Sequence, residues 1–190
     1  MKAQTYFEYL KELCDISEDL LNSAAKSILQ CVTNQKSVWI IGNGGSASTA
    51  EHFETDLSFI RKGRTFPRIK VSALTSNTAL ISAIANDIGY ENIFSHQLYR
   101  IADQGDLCFF ISASGNSENL LKAAEAAKEI GLSTFGLLGF DGGKLLKDLD
   151  NSIIVETELG NYGPVEDIHL AVCHAVSGIV GRTLSSLESK

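Results

Sequence analysis

The sequence predicts a three-layer αβα sandwich, with a five-stranded parallel sheet between helices and a helical arm in front. Three observations carry this. Five short segments rich in branched or aromatic residues recur along the chain: Val38 to Ile41, Ile69 to Leu74, Leu107 to Ile111, Thr134 to Leu138 and Ile153 to Glu156. These runs are apolar rather than alternating, as strands covered on both faces should be. Between them lie segments of helical periodicity, and strand then helix, repeated, calls for an open α/β sheet with right-handed crossovers.

In chain order, Leu10, Leu13, Ile16, Leu20, Leu21, Ala24, Ile28 and Leu29 recur at three- and four-residue steps between Tyr6 and Val32. That spacing describes one long amphipathic helix or two consecutive ones. Helical patterns follow the strands over Ser46 to Phe59, Asn77 to Ala85 with a further piece from Asn92 to Ala102, Glu118 to Ile130, and a short stretch around Gly143 to Lys147. The last helix begins near Pro164, a residue favoured in the first turn, and runs to about Leu187. With no repeats and only Pro67 and Pro164 as interruptions, residues 1–190 read as a single domain. Residues 1–35 form an arm suited to subunit packing, and residues 36–190 form the α/β core with its C-terminal helix.

Composition narrows the function classes. Sixteen basic against 23 acidic residues give a net charge of −7, with no long basic block, which argues against nucleic acid as a ligand. Cys14, Cys31, Cys108 and Cys173 lie far apart without a CxxC pair and read as reduced core thiols, suiting a cytoplasmic location. The first 20 residues alternate charged and apolar side chains, and no uncharged apolar stretch reaches the roughly 18 residues of a membrane span. A soluble protein without membrane partners is expected.

In such a sheet, ligands bind beyond the carboxyl ends of the strands, so the loops after the first and third strands matter most. The first reads GNGGSAS, with Asn43, Gly44 and Ser46; the third reads SASGNSEN, Ser112 to Asn119. Ser112, Ser114 and Ser117 offer hydroxyls, Gly115 lets main chain approach an anion, and a helix starting near Ser117 presents free N–H groups. This composition suits a phosphomonoester. An ordinary strand-to-helix turn with Ser117 as N-cap is the alternative. Neither GxGxxG nor GxxxxGK[ST] occurs, which disfavours a nucleotide cofactor.

Two helical clusters can supply acids, bases or metal ligands. His52 and Asp56 stand four apart and share a helix face. On the last helix, at ~100° per residue, Glu166 lies about 80° from His174 and about 60° from His169, while the two histidines are about 140° apart. Only one of these histidines can therefore share a site with the acid of the other helix. Together His52, Asp56, Glu166 and His174 make a zinc-type or acid/base set if the helices meet. Taken singly, each has a structural alternative.

The segments GNGGSASTAEHFETDL, ANDIGYENIFSHQL, GDLCFFISASGNSENLLKAAEAAKEIGLSTFGLLGFDGGKL and VEDIHLAVCHAV together resemble the sugar isomerase (SIS) domain family, and within it the phosphoheptose isomerases. The resemblance covers nearly the whole chain. It implies a flavodoxin-like fold and an aldose–ketose isomerase that converts sedoheptulose 7-phosphate to D-glycero-D-manno-heptose 7-phosphate through an enediol. It also implies a homotetramer with active sites at subunit boundaries and one zinc per subunit.

By the same resemblance, Ser112, Ser114 and Ser117 bind the substrate phosphate, and Asn43, Gly44, Ser46, Asp87 and Glu166 line the sugar pocket. His174, Asp56 and Glu166 take part in proton transfer; His52, Asp56, Glu166 and His174 are the metal ligands. The chain departs from the family pattern at Asp56, where glutamate is usual, at Glu166 for glutamine, at Ala113 for threonine and at Gly163 for aspartate. Isomerisation of another phosphosugar, or a non-catalytic tetramer that binds a replication initiator or senses phosphosugars, stand as alternatives.

Overall fold

The computed structural model describes residues 3–60 and 68–188. Strands β1 (Ser37–Gly42), β2 (Lys70–Ala73), β3 (Leu107–Ser112), β4 (Ser133–Gly139) and β5 (Asn151–Val155) form one all-parallel sheet in the order β2-β1-β3-β4-β5. The register pairs Trp39 with Cys108 and Ile40 with Phe109 across β1 and β3.

The helices are α1 (Ala3–Leu13), α2 (Glu18–Thr33), α3 (Gly45–Phe59), α4 (Thr78–Asp87), α5 (Ser95–Ile101), α6 (Glu118–Ile130) and α7 (Tyr162–Glu188). The apolar strands sort their side chains by parity. Val38, Ile40, Phe109, Ile111, Phe135 and Leu137 face one layer, with Ile28 of α2, Phe53 and Leu57 of α3, and Val172 and Val176 of α7. Ile41, Cys108, Phe110 and Leu138 face the other, with Ile84 of α4, Leu98 of α5 and Leu120 of α6. Alternate strand residues point to opposite faces, so runs that are apolar throughout need helices on both.

The arm is two helices, because Ser17 turns the chain at extended φ and ψ and its hydroxyl accepts from Leu20 N to start α2. The helix expected over 92–102 is α5 alone, preceded by a 3₁₀ turn at Tyr90–Asn92. The helix expected over 143–147 is a 3₁₀ turn at Leu145–Asp148, because Gly142 and Gly143 both take positive φ.

At the amino end of the sheet, Asp106 is 2% exposed. Its carboxylate accepts from Ser37 N at 2.8 Å, Trp39 Nε1 at 2.9 Å and Asp103 N at 3.0 Å. Three donors thus meet the two oxygens of this buried carboxyl group, which locks the start of β1 to the turn before β3.

Candidate active site

The order β2-β1-β3 places the loops after β1 and β3 side by side, while their helices leave to opposite faces. The crevice between them lies at the carboxyl edge, where ligands of open α/β sheets bind.

The loop after β3 is held by its main chain. Gly115 has φ +59°, and a Cβ there would lie 2.0 Å from the carbonyl oxygen of Gly142. Only glycine fits. Gly115 O in turn accepts from Leu145 N at 2.9 Å, so this loop is clasped to the one after β4. Ser112 Oγ accepts from Gly115 N, and Ser114 Oγ accepts from Asn116 N. Both hydroxyls therefore act as acceptors within the loop and keep their own O–H free to donate. Ser117 occupies the N-cap position of α6 without making a side-chain cap bond. Ser117 is thus the N-cap, and Gly115 has the positive φ, of the turn alternative, but the hydroxyl is not spent on the helix. Ala113 is buried with Phe140 and Val165, so a small apolar residue suits the position where the family pattern has threonine.

The loop after β1 carries Gly44 at φ +56° as N-cap of α3, and Ser46 is buried in the first turn. Asn43 bridges to the neighbouring loop through Asn119, and the hydroxyl of Tyr90 also reaches it. Asp87 is exposed at the end of α4, where it accepts from its neighbour Asn86.

Helices α3 and α7 do meet. His52 Nε2 and His174 Nε2 stand 2.9 Å apart, and the two carboxylate oxygens of Asp56 lie 3.6 Å from them, one each. All three residues expose part of their side chains, about half for each histidine. His169, five residues before His174, points inward at 0% exposure. Neither of its ring nitrogens has a hydrogen-bond partner among the described residues. Burial pushes its pKa down to about 4, and the Leu138 main chain opposes that shift without completing a bond. The helix-wheel expectation that one histidine of α7 joins the acid is met by His174.

Glu166 does not join this group. Its carboxylate lies over Gly45, where a Cβ would come within 2.4 Å of Oε1. The expected set of four donors is a set of three in this chain. The reason is axial: eight residues from His174 amount to about 12 Å of helix rise, whatever the angle around the axis.

The three donors fit a metal ion. Ligand atoms of a tetrahedral zinc site lie about 3.3 Å apart; here the two imidazole nitrogens stand 2.9 Å apart, each lies 3.6 Å from a different oxygen of Asp56, and one ligand atom from each residue lies within 4.8 Å of the others. Three protein ligands leave a fourth position for water or substrate.

Three residues escaped the sequence reading. Asn119 and Tyr90 gave no periodic signal, although Asn119 lies within the quoted serine loop. Tyr6 of α1 donates to Asp167 Oδ2 at 2.6 Å, and that bond, with burial and the charges of Asp167 and Glu166, raises its pKa to about 12. A Cβ on Gly163 would come within 3.3 Å of the Tyr6 hydroxyl, so the absence of a side chain there gives the phenol its seat.

The model of the SIS domain matches residues 4–139. The chain belongs to the SIS domain family. The SIS match stops before α7, but whole-chain relatives extend beyond it. The chain is 34% identical to the phosphoheptose isomerase of Helicobacter pylori strain P12, across 92% of this chain and 90% of that one. Among solved structures it is similar to phosphoheptose isomerase GmhA from Neisseria gonorrhoeae, with a TM-score of 0.82, 30% identity and 93% of each chain covered. It also resembles a phosphoheptose isomerase from Francisella tularensis, with a TM-score of 0.87, 29% identity and coverage of 95% and 97%. The SIS sheet and its helices on both faces are thus shared along nearly the full length. Among the described residues, no helix is long and apolar enough to cross a membrane.

Proposed function

We propose that this SIS protein is an aldose–ketose isomerase that converts sedoheptulose 7-phosphate to D-glycero-D-manno-heptose 7-phosphate. The observation that carries the proposal is the convergence of His52, Asp56 and His174 from helices α3 and α7 into one group of two imidazoles and a carboxylate. Relatives named phosphoheptose isomerase, matched over nine-tenths of both chains, support it.

Ser112 and Ser114 donate their free O–H groups to the substrate phosphate, and Ser117 adds a hydroxyl not spent on its helix. The N-terminus of α6 contributes N–H groups and a favourable dipole. Binding the remote phosphate fixes the reacting carbons and lowers the entropic part of the barrier. Asn43, Gly44, Ser46 and Asp87 meet the sugar hydroxyls.

At the reacting end, a proton leaves one of C1 and C2 and returns to the other, while the hydroxyl proton passes between their oxygens. Asp56 and His174 carry these transfers at a carboxylate oxygen and at Nε2, while Glu166 stays beside the loop after β1, over Gly45. His52, Asp56 and His174 would hold one zinc per subunit, which when bound polarises the substrate oxygens. An ion and a proton compete for the same Nε2 and Oδ atoms, so metal binding weakens as pH falls.

Exposed Phe7 and Leu20 on the arm, with Phe59 and Leu159, supply apolar surface for the tetramer the family implies. All four cysteines are unpaired, in keeping with a reducing cytoplasm. The test is incubation with sedoheptulose 7-phosphate in deuterium oxide. A heptose phosphate carrying deuterium at C2 is expected; no exchange with this or any of a panel of ketose phosphates would move the chain to the non-catalytic phosphosugar binders.

A further inference from the structure

Asn43 is held by three hydrogen bonds from two side chains that the reaction does not otherwise use. Its Oδ1 accepts from Asn119 Nδ2 at 2.8 Å and from the Tyr90 hydroxyl at 3.1 Å, and its Nδ2 donates to Asn119 Oδ1 at 2.9 Å. A carboxamide has two acceptor sites and two N–H donors. The oxygen is therefore filled, and one N–H remains. Turning Asn43 over alone would set Nδ2 against Nδ2, so the two amides turn only as a pair, and in either sense the pair ties Asn43 to Asn119.

These residues wall one cavity of about 510 Å³ together with Ser117, Glu118 and Glu91. Asn119 itself is 2% exposed, which leaves it little surface to offer a ligand. It stands two residues beyond Ser117, in the first turn of the helix that closes the serine loop. The reciprocal amide pair thus joins the loop assigned to the sugar to the helix assigned to the phosphate.

We propose that Asn119 and Tyr90 are positioning residues for a ketose phosphate. They hold the Asn43 carboxamide at the cavity wall with part of its hydrogen-bonding capacity unspent, and they keep the sugar-contacting loop at a fixed spacing from the phosphate loop. The inference rests on the substrate reading above, with Asn43 at the sugar and Ser117 at the phosphate. Lost orientation should weaken binding of the sugar while inorganic phosphate, which needs only the serine loop, binds as before.

The experiment is calorimetric titration of wild type, Asn119→Ala and Tyr90→Phe with sedoheptulose 7-phosphate and, separately, with inorganic phosphate, alongside kcat and KM. Asn119→Ala loses both amide bonds, so about tenfold weaker sugar-phosphate binding is expected, and roughly threefold for Tyr90→Phe. Phosphate affinity should stay within about twofold of wild type in both. A parallel loss for both ligands would make Asn119 a prop of the phosphate loop, and unchanged sugar-phosphate affinity in both variants would remove the positioning role; either overturns the inference. Should Asn119→Ala fail to fold, Tyr90→Phe decides, since that ring is 56% exposed. Wild type that binds sedoheptulose 7-phosphate without turnover would remove the isomerase reading and leave this one standing on the binding ratios. Wild type that binds neither ligand overturns both.

Discussion

The serine loop and the histidine group are built by different means. The serine loop is a main-chain structure: Gly115 O accepts from Leu145 N, Ser112 and Ser114 accept from backbone N–H groups, and the left-handed Gly115 packs directly on Gly142. The His52, Asp56 and His174 group is a side-chain structure, half open to solvent, whose closest polar contacts are with one another. The phosphate end is therefore set once the chain folds. The histidine group takes its arrangement from side chains and from the substrate or ion it holds. A fixed remote anchor beside an adjustable reactive group suits a reaction that must move a proton in both directions.

Four measurements can break or sharpen that contrast. His174→Ala should lower kcat by about a thousandfold through loss of a proton carrier, with Tm unchanged because the side chain is half exposed. A large fall in Tm would show that the cluster props the helices together. Gly115→Ala should damage activity and fold alike: positive φ alone costs about 1–2 kcal/mol, and the contact with Gly142 adds to it. If Tm survives intact, the loop is softer than its main-chain bonds imply.

The third measurement uses the buried histidine of α7. His169 has a folded pKa of about 4, against 6.5 for the free side chain. Between these values the unfolded chain binds a proton that the folded one does not, so stability falls as pH drops from 6.5 to 4 and is level below. The linked loss is on the order of 3 kcal/mol. In His169→Leu this part of the pH dependence should vanish, visible as a Tm gap between variant and wild type that changes across pH 4–6.5 and stays constant above 7. An unchanged gap would mean that His169 gains access to solvent. The smallest effect is expected from Ser117→Ala, with KM raised about tenfold and Tm unmoved, because the hydroxyl makes no cap bond. A lowered Tm would return Ser117 to an ordinary N-cap.

Much of the fold was legible because continuous apolar runs can be satisfied only between two helical layers; β1, β3 and β4 coincide with such runs, while the edge strands β2 and β5 mix exposed and buried positions. Boundaries drifted where local chemistry overrode periodicity, as at the paired left-handed glycines Gly142 and Gly143. In the site, the pairing of His52 and Asp56 followed from a four-residue spacing, and angles around α7 separated His174 from His169. The same angles misplaced Glu166, since a projection down the axis discards the rise that carries it to Gly45. Asn119, Tyr90 and Tyr6 were not legible at all. Their partners lie 76, 47 and 161 residues away, and isolated polar residues leave no periodic trace of such contacts.

The bond from Trp39 to the buried carboxylate of Asp106 has a practical consequence. Trp39 is the sole tryptophan and sits in the first half of β1, at the edge of the sheet away from the reactive loops. Trp39 packs on the sheet face covered by α4, α5 and α6, opposite the α3 and α7 that carry the histidine group, and its emission reports the integrity of the sheet. Denaturation followed at this one fluorophore therefore supplies a baseline for every site variant, in which damage to chemistry and damage to folding are read from separate signals.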